Sequence, residues 1–255
     1  MALDIRLIPC LSDNYAVLFR VSESGAVVLV DAPEAAPIEA VLESEGWRLT
    51  DILVTHKHDD HIAGIPALVE KYHPQVIAPA AEASKIPNVT RTVKEGDRFE
   101  VGGLAAQVFE TPGHTAGHVS FFLPGEKLLF SGDTLFALGC GRLFEGTPAQ
   151  MWRSLEKLRA LPDDTQVYCG HEYTLSNARF ARGIDPDNAA LKERAEGIEA
   201  ARQAGRPTIP FALGLDKATN PFLRADEPAV AQGVGLAGAD PVAVFTEVRE
   251  RKNRA

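Results

Sequence analysis

The chain has 255 residues, 45% of them hydrophobic, and a formal net charge of −9, which is enough for one large core or a domain with a smaller appendage. Its acidic balance excludes a general nucleic-acid surface, which would carry a basic stripe. No apolar run approaches the roughly 20 residues needed to span a bilayer, and the N-terminus lacks the basic-then-apolar order of a signal peptide, so the expectation is a cytoplasmic protein with no membrane partner.

Taken in chain order, Ile5–Ile8, Ala16–Phe19 and Val27–Val30 read as strands and the stretch from Ile38 to Glu45 as a helix. Asp31, closing the third strand, is a candidate for orienting neighbouring ligands. Asp51–Val54 reads as a buried strand running into a turn that carries His56, His58, Asp60 and His61, followed by a helix from Ile62 to Glu70. Imidazole and carboxylate suit borderline divalent ions such as zinc, and four such groups converge only where the chain turns. Asp59, between them, reads as a solvent-facing turn residue, and His73, beside Pro74, as an exposed loop residue.

Further strands are predicted near Val76–Ile77, Ala106–Glu110, His118–Leu123 and Lys127–Phe130, then a helix from Met151 to Ala160 and a strand at Val167–Cys169. Three of these strands lead to a glycine and then a ligand-type residue: Gly113-His114, Gly132-Asp133 and Gly170-His171. Glycine lets the backbone take unusual dihedrals and approach a bound ion closely. Together with the earlier run these make two three-ligand sets and one shared carboxylate. Cys10, Cys140 and Cys169 have no paired spacing and read as packing residues in a reducing compartment; Cys169, two residues before His171, is a lesser ligand candidate. From about Tyr173 the texture turns helical with no convincing strand. Leu191, Ala195 and Ile198 share one helix face, and Asp240 with Pro241 starts a last helix.

The Thr55–His61 segment with Gly113-His114, Gly132-Asp133 and Gly170-His171 resembles the metallo-β-lactamase superfamily. More narrowly, Gly139–Thr147 (Gly-Cys-Gly-Arg-Leu-Phe-Glu-Gly-Thr), Gly170–Thr174 (Gly-His-Glu-Tyr-Thr) and Asn220–Arg224 (Asn-Pro-Phe-Leu-Arg) make the chain similar to the glyoxalase II family, the hydroxyacylglutathione hydrolases. The resemblance implies an α/β (α+β) fold, a four-layer αββα sandwich with its ligands on loops along one edge. Residues 1–172 would then form the catalytic domain and 173–255 a helical substrate-binding domain.

It also implies that His56, His58 and His114 hold one divalent ion, Asp60, His61 and His171 a second, and Asp133 both. Zinc is the expected metal, with iron or manganese compatible with the same ligands. His118 resembles a position beside the site that serves a supporting role. A hydroxide shared by two cations at neutral pH would attack the thioester carbonyl of an S-(2-hydroxyacyl)glutathione, with S-D-lactoylglutathione as the expected substrate of methylglyoxal detoxification. Metal binding lowers the pKa of water from about 15.7 to roughly 7, and a thiol of pKa about 8.5 leaves without a dedicated general acid.

Glutathione brings two carboxylates, so cations are needed locally. Arg249 and Lys252, three apart on one helix face, match positions that contact glutathione, as does Tyr173. A solvated helix end favoured by the dipole is the plainer reading of the same basic run. Arg142 stands where some relatives have lysine and keeps the charge, whereas Phe144 stands where tyrosine would supply a hydroxyl. The alternatives are an iron-dependent glutathione persulfide dioxygenase, which shares much of the ligand pattern, a lactonase or other hydrolase of the same fold, and a non-catalytic glutathione- or metal-binding protein. A monomer is expected.

Overall fold

Val, Ile, Leu and Phe at strand spacing pair into two sheets in the first of two units into which the chain folds. The computed structural model describes residues 2–255. The first unit comprises Met1–Glu110 and Thr115–Gly132, the second Thr111–His114 and Asp133–Ala255.

In the first unit, β1 (Leu3–Cys10), β2 (Asn14–Val21), β3 (Val27–Val30), β4 (Asp51–Leu53), β5 (Gln75–Pro79) and β6 (Arg91–Val93) form a six-stranded sheet in sequence order. The β1–β2 and β2–β3 pairs are antiparallel, and β3 to β6 run parallel. Parallel neighbours need a crossover, supplied between β3 and β4 by α1 (Ala35–Glu45) and between β4 and β5 by α2 (Asp59–Ile62) with α3 (Ile65–Tyr72). Ile38 and Leu42 of α1 and Ile65 and Leu68 of α3 bury against Leu18, Leu29, Ile52 and Val76 of the sheet. Each such side chain contributes about 1.5 to 3 kcal/mol by leaving water, and a charge at Leu42 would forfeit that and more. Gly46 ends α1 at φ 65°, where its N–H reaches the Glu43 and Leu42 carbonyls and lets Trp47 turn back onto the same core.

The single helix predicted from Ile62 to Glu70 is instead two. The chain turns at Ala63 and Gly64 because Gly64 lies against the Glu34–Ala35 backbone, where a Cβ would come within 2.8 Å of the Ala35 nitrogen, and donates its N–H to the Ala32 carbonyl. Four strands of a second sheet, β7 (Arg98–Val101), β8 (Leu104–Glu110), β9 (Val119–Leu123) and β10 (Leu128–Gly132), complete this unit as antiparallel neighbours. Phe19 of β2 stacks on Phe130 of β10 with ring centroids 5.7 Å apart, so the two sheets meet face to face.

The second unit contains β11 (Leu135–Phe136), β12 (Gly139–Cys140), α4 (Pro148–Arg159), β13 (Gln166–Cys169), α5 (Thr174–Ile184), α6 (Ala189–Gln203), β14 (Phe211–Ala212), α7 (Leu213–Thr219), α8 (Pro228–Gly233) and α9 (Pro241–Arg254). Thr147 caps α4 through a reciprocal pair with Gln150, which places its start three residues before the predicted Met151. Asp240 caps α9 as expected, accepting from the Val242 and Ala243 amides. Leu191, Ala195 and Ile198 do line the buried face of α6. The expectation of no strand beyond Tyr173 is corrected by β14, whose two residues pair antiparallel with Gln166 and Val167 of β13. Two residues between prolines and a helix carry no alternation to read. Among the described residues no helix is long and apolar enough to cross a membrane.

Candidate metal centre

In the first unit, β4 delivers the chain into the Thr55–His58 turn and α2 begins at Asp59, so all four ligand-type side chains lie at the mouth of one strand. His56 and His61 are buried, Asp60 is 40% exposed through its side chain, and Asp59 is exposed as expected. Their arrangement is fixed by Asp31, which sits at φ 56°, a left-handed conformation that aspartate tolerates better than most residues. Its Oδ1 accepts from the Thr55 amide at 2.8 Å, and its Oδ2 from the Thr55 hydroxyl at 2.8 Å and His61 Nδ1 at 2.9 Å.

These bonds settle which nitrogens can bind a metal. A carboxylate only accepts, so His61 Nδ1 carries the proton and its Nε2 carries the lone pair. Thr55 spends its one hydroxyl hydrogen on Asp31, so His56 Nδ1, 3.0 Å from that hydroxyl, must donate to it and leave Nε2 as the donor atom. His56 Nε2 then faces His58 Nδ1 at 3.1 Å. Asp60 Oδ2 lies 3.7 Å from His61 Nε2 and is steadied by the Asn14 amide, which donates to it at 3.1 Å and to the Asp60 carbonyl at 3.0 Å. One donor atom of His61 is also within 4.8 Å of one of His56.

The second unit holds its own group. His114 Nδ1 donates to the Arg142 carbonyl at 3.0 Å, which leaves Nε2 as the donor atom. That Nε2 and His171 Nε2 each lie 3.3 Å from Asp133 Oδ2. All three residues are buried. Gly113 permits the approach at φ 152° with no side chain, since a Cβ there would meet Met151 at 2.8 Å.

The donor chemistry fits a metal. Two ligand atoms each about 2.0 to 2.1 Å from a tetrahedral zinc stand roughly 3.3 Å apart, which is the spacing of Asp133 with each of its two histidines and close to the 3.1 Å between His56 and His58. For the Asp133 pairs a charge-assisted hydrogen bond would be shorter, about 2.7 to 2.9 Å. Cys169 lies outside this chemistry: it is buried, its thiol donates to the His171 carbonyl at 3.5 Å, and burial raises its pKa so that the thiolate is withheld. Cys10 and Cys140 are also free and buried, with thiols pushed up to about 11 by desolvation. His118 is fully buried with its ring 4.9 Å from that of His56, a supporting position as expected. His73 ends α3, exposed.

Around the second group stand the residues expected to meet substrate. Tyr173 stacks on His171 with rings 4.7 Å apart and 5° from parallel, and Phe144, 63% exposed, lies with its ring 5.2 Å from that of His114. Lys252 on α9 reaches the Ser176 hydroxyl at 2.9 Å, and its amine is lowered to about 8 by partial burial first, then by the Arg249 and Arg142 charges. A concentration of positive charge therefore exists locally in an acidic chain. Arg249 is not the solvated residue its helix position suggests: it is 5% exposed, donates to the Cys140 carbonyl at 2.8 Å and covers the Phe222 ring.

Sequence reasoning missed two supports, Asn14 and Glu82. Buried Glu82 accepts from the Lys57 amide at 2.8 Å and the Gly117 amide at 3.0 Å, tying the ligand turn to the loop before β9. Neither residue has a local pattern that marks it.

Comparison with known proteins gives two family matches, to the metallo-beta-lactamase superfamily over residues 12–171 and to the hydroxyacylglutathione hydrolase C-terminus over residues 172–255. A hydroxyacylglutathione hydrolase from Rhodopseudomonas palustris strain BisA53 is 57% identical over 255 residues, covering 100% of both chains. Another from Ruegeria pomeroyi is 55% identical over 253 residues, covering 99% of each. Among solved structures, ETHE1 from Myxococcus xanthus is similar with a TM-score of 0.67 at 27% identity, covering 98% of both chains. A protein described as TTHA1623 in a di-iron-bound form has a TM-score of 0.61 at 26% identity, covering 84% of this chain and 98% of its own.

Proposed function

The chain belongs to the hydroxyacylglutathione hydrolase family of the metallo-β-lactamase superfamily, and from that premise we propose that it hydrolyses S-(2-hydroxyacyl)glutathione thioesters, S-D-lactoylglutathione foremost, to glutathione and the hydroxy acid. The observation that carries this reading is an Asp133 oxygen set 3.3 Å from two imidazole nitrogens in the same unit as Tyr173 and the cationic α9. Metal-ligand chemistry and cations for an anionic thiol carrier thus share one unit. We assign His56, His58 and His114 to one divalent ion, Asp60, His61 and His171 to another, and Asp133 to both. Zinc is the metal this nitrogen- and oxygen-donor set favours, and the di-iron form described for TTHA1623 supports a two-ion complement and keeps iron as a substitute.

When bound, such ions supply a nucleophile from water at neutral pH and polarise the carbonyl. The chain's residues do the rest. Asp31 and the Arg142 carbonyl hold His61 and His114 in the tautomers that present Nε2. Tyr173, Arg142, Phe144, Arg249 and Lys252 line the path of the glutathionyl group, with Lys252 as the cation for a carboxylate, Phe144 packing without the hydroxyl a tyrosine would bring, and Arg249 acting chiefly by holding the backbone beneath. We place residues 1–172 in the catalytic role and 173–255 in the substrate-binding role, in a cytoplasmic monomer.

The test is turnover by purified protein of known metal content. Release of free thiol from S-D-lactoylglutathione, well above that from a lactone or a β-lactam, is the expected result. Oxygen consumption with glutathione persulfide at one iron per chain, without thioester cleavage, would replace the hydrolase with the dioxygenase alternative.

A further inference from the structure

Between Asp133 and Arg142 the chain makes a small hairpin in which Leu135 pairs with Cys140 and Phe136 with Gly139. A two-strand hairpin this short is not stable by its own ladder. Its backbone is instead held almost atom by atom from the helices of the second unit. Asn220, after α7, donates its amide to the Phe136 carbonyl at 3.3 Å and the Gly139 carbonyl at 3.1 Å. Asn177 of α5 donates to the Ala137 carbonyl at 3.1 Å. Asp216 of α7 accepts from the Leu138 amide at 3.3 Å, and Arg249 of α9 donates to the Cys140 carbonyl at 2.8 Å.

The holding groups are themselves fixed. Asp216 is fully buried and bound by Arg194 at 2.5 Å and by the Asn220 amide at 2.8 Å. Leu138, at the hairpin tip with φ 57°, is buried among Ala178, Ala181, Leu191, Ala195 and Ile198 of α5 and α6. Gly139 fits because a Cβ would lie 2.4 Å from the Asn177 amide nitrogen.

The hairpin and the residues that flank it adjoin Asp133, His114 and His171. Asp133 leads into it, and Gly141, just past the returning strand, packs so closely on the Asp133 carbonyl that a Cβ would lie 1.9 Å from it, while its N–H donates to the Thr134 carbonyl at 3.2 Å. Arg142, just past the hairpin, supplies the carbonyl that orients His114. Phe136 sets its ring edge against His171, with centroids 6.0 Å apart, and against Tyr173 at 5.3 Å.

We propose that the hairpin from Leu135 to Cys140 is a template for the ligand group of Asp133, His114 and His171, and that Asn220, Asp216 and Asn177 are positioning residues that set it. The helical C-terminal region then shapes the chemical step as well as binding substrate. This rests on the proposed ligand role of those three residues.

Its test compares Asn220→Ala with Asn188→Ala. Asn188 caps α6 and bonds Asp185 and the Ala218 carbonyl, so its loss weakens the same helices without touching the hairpin. Each purified variant is titrated with zinc against a chromophoric chelator, assayed for kcat and KM on S-D-lactoylglutathione, and melted. Asn220→Ala should bind zinc on the order of tenfold more weakly, the scale seen when groups supporting metal ligands are removed, with lower kcat and a KM within about twofold of wild type, as expected when substrate contacts persist. Asn188→Ala should lower the melting temperature and leave zinc affinity and kcat at wild-type values.

Should Asn220→Ala fail to fold, Asn177→Ala, which removes one hairpin bond, must show the same pattern at smaller size. Wild-type zinc affinity and kcat in a folded Asn220 or Asn177 variant would overturn the template role, as would equal zinc loss in Asn188→Ala. A wild-type protein that takes up no zinc would overturn the ligand assignment beneath it.

Discussion

The two units present ligand-type side chains in opposite ways. In the first, His56, His58, Asp60 and His61 are neighbours in sequence, and one buried carboxylate, Asp31, fixes the turn and the His61 tautomer. In the second, His114, Asp133 and His171 are far apart in sequence and meet only because the chain folds, with the Arg142 carbonyl and the hairpin after Asp133 holding them. A local cluster is held by single side chains, Asp31 with Asn14 and Glu82 beside it; a dispersed one needs a scaffold.

That difference can be broken at either end. The largest effect is expected from Asp133→Ala, since Asp133 Oδ2 is the atom both second-unit histidines share. Thioester turnover should fall on the order of a hundredfold or more, the scale of losing a fixed electrostatic group at a reacting centre, and turnover near wild type would remove Asp133 from the mechanism. Next comes Asp31→Asn. Its new amide would face His61 Nδ1 donor to donor and drive that ring to the tautomer with Nε2 protonated. Zinc affinity should drop about 10- to 100-fold, and unchanged affinity in a chelator competition would show that the first group needs no such support.

Smaller effects test the substrate side. Replacing Lys252 by Gln should raise KM on the order of fivefold, as for loss of one partly solvated charge contact of about 1 kcal/mol, with kcat unchanged. A lowered kcat would mean that Lys252 acts on more than binding. Arg249 is the poorer probe, because its guanidinium also holds the Cys140 carbonyl. The smallest effect is in pH. The Lys252 amine, held down to about 8 by burial and by Arg249 and Arg142, is cationic below that pH and neutral above it. KM for the anionic substrate should therefore climb as pH rises through about 8 in the wild type and stay flatter in Lys252→Arg, whose guanidinium keeps its proton. Parallel profiles for the two proteins would rule this titration out.

The same contrast explains what could be read from the sequence. The His56–His61 run announces metal chemistry because nothing else concentrates imidazole and carboxylate in one turn, and the strands before it are plain in Val27–Val30 and Asp51–Val54. The metallo-β-lactamase fold is likewise legible, and the family matches bear it out. His114, Asp133 and His171 stand out only through the glycine before each and through family resemblance. Asn220 opens the family-like Asn220–Arg224 segment, yet its partner is the backbone of Phe136 and Gly139, and no side-chain pattern encodes a carbonyl. The break at Gly64 has no sequence pattern for the same reason, because it answers to the Ala35 backbone. The charged run around Arg249 suits either a solvated helix end or the glutathione contact that the resemblance implies, and neither shows its burial, because its contacts with Cys140 and Phe222 come from chain segments far away in sequence.

The dependence of hydrolysis on two ions is read by titrating metal-free protein with zinc and following thiol release from S-D-lactoylglutathione at each addition. Activity should be absent at the start and rise to a plateau at two ions per chain. Hydrolysis without metal, or a plateau at one ion, would contradict the proposed two-ion assignment.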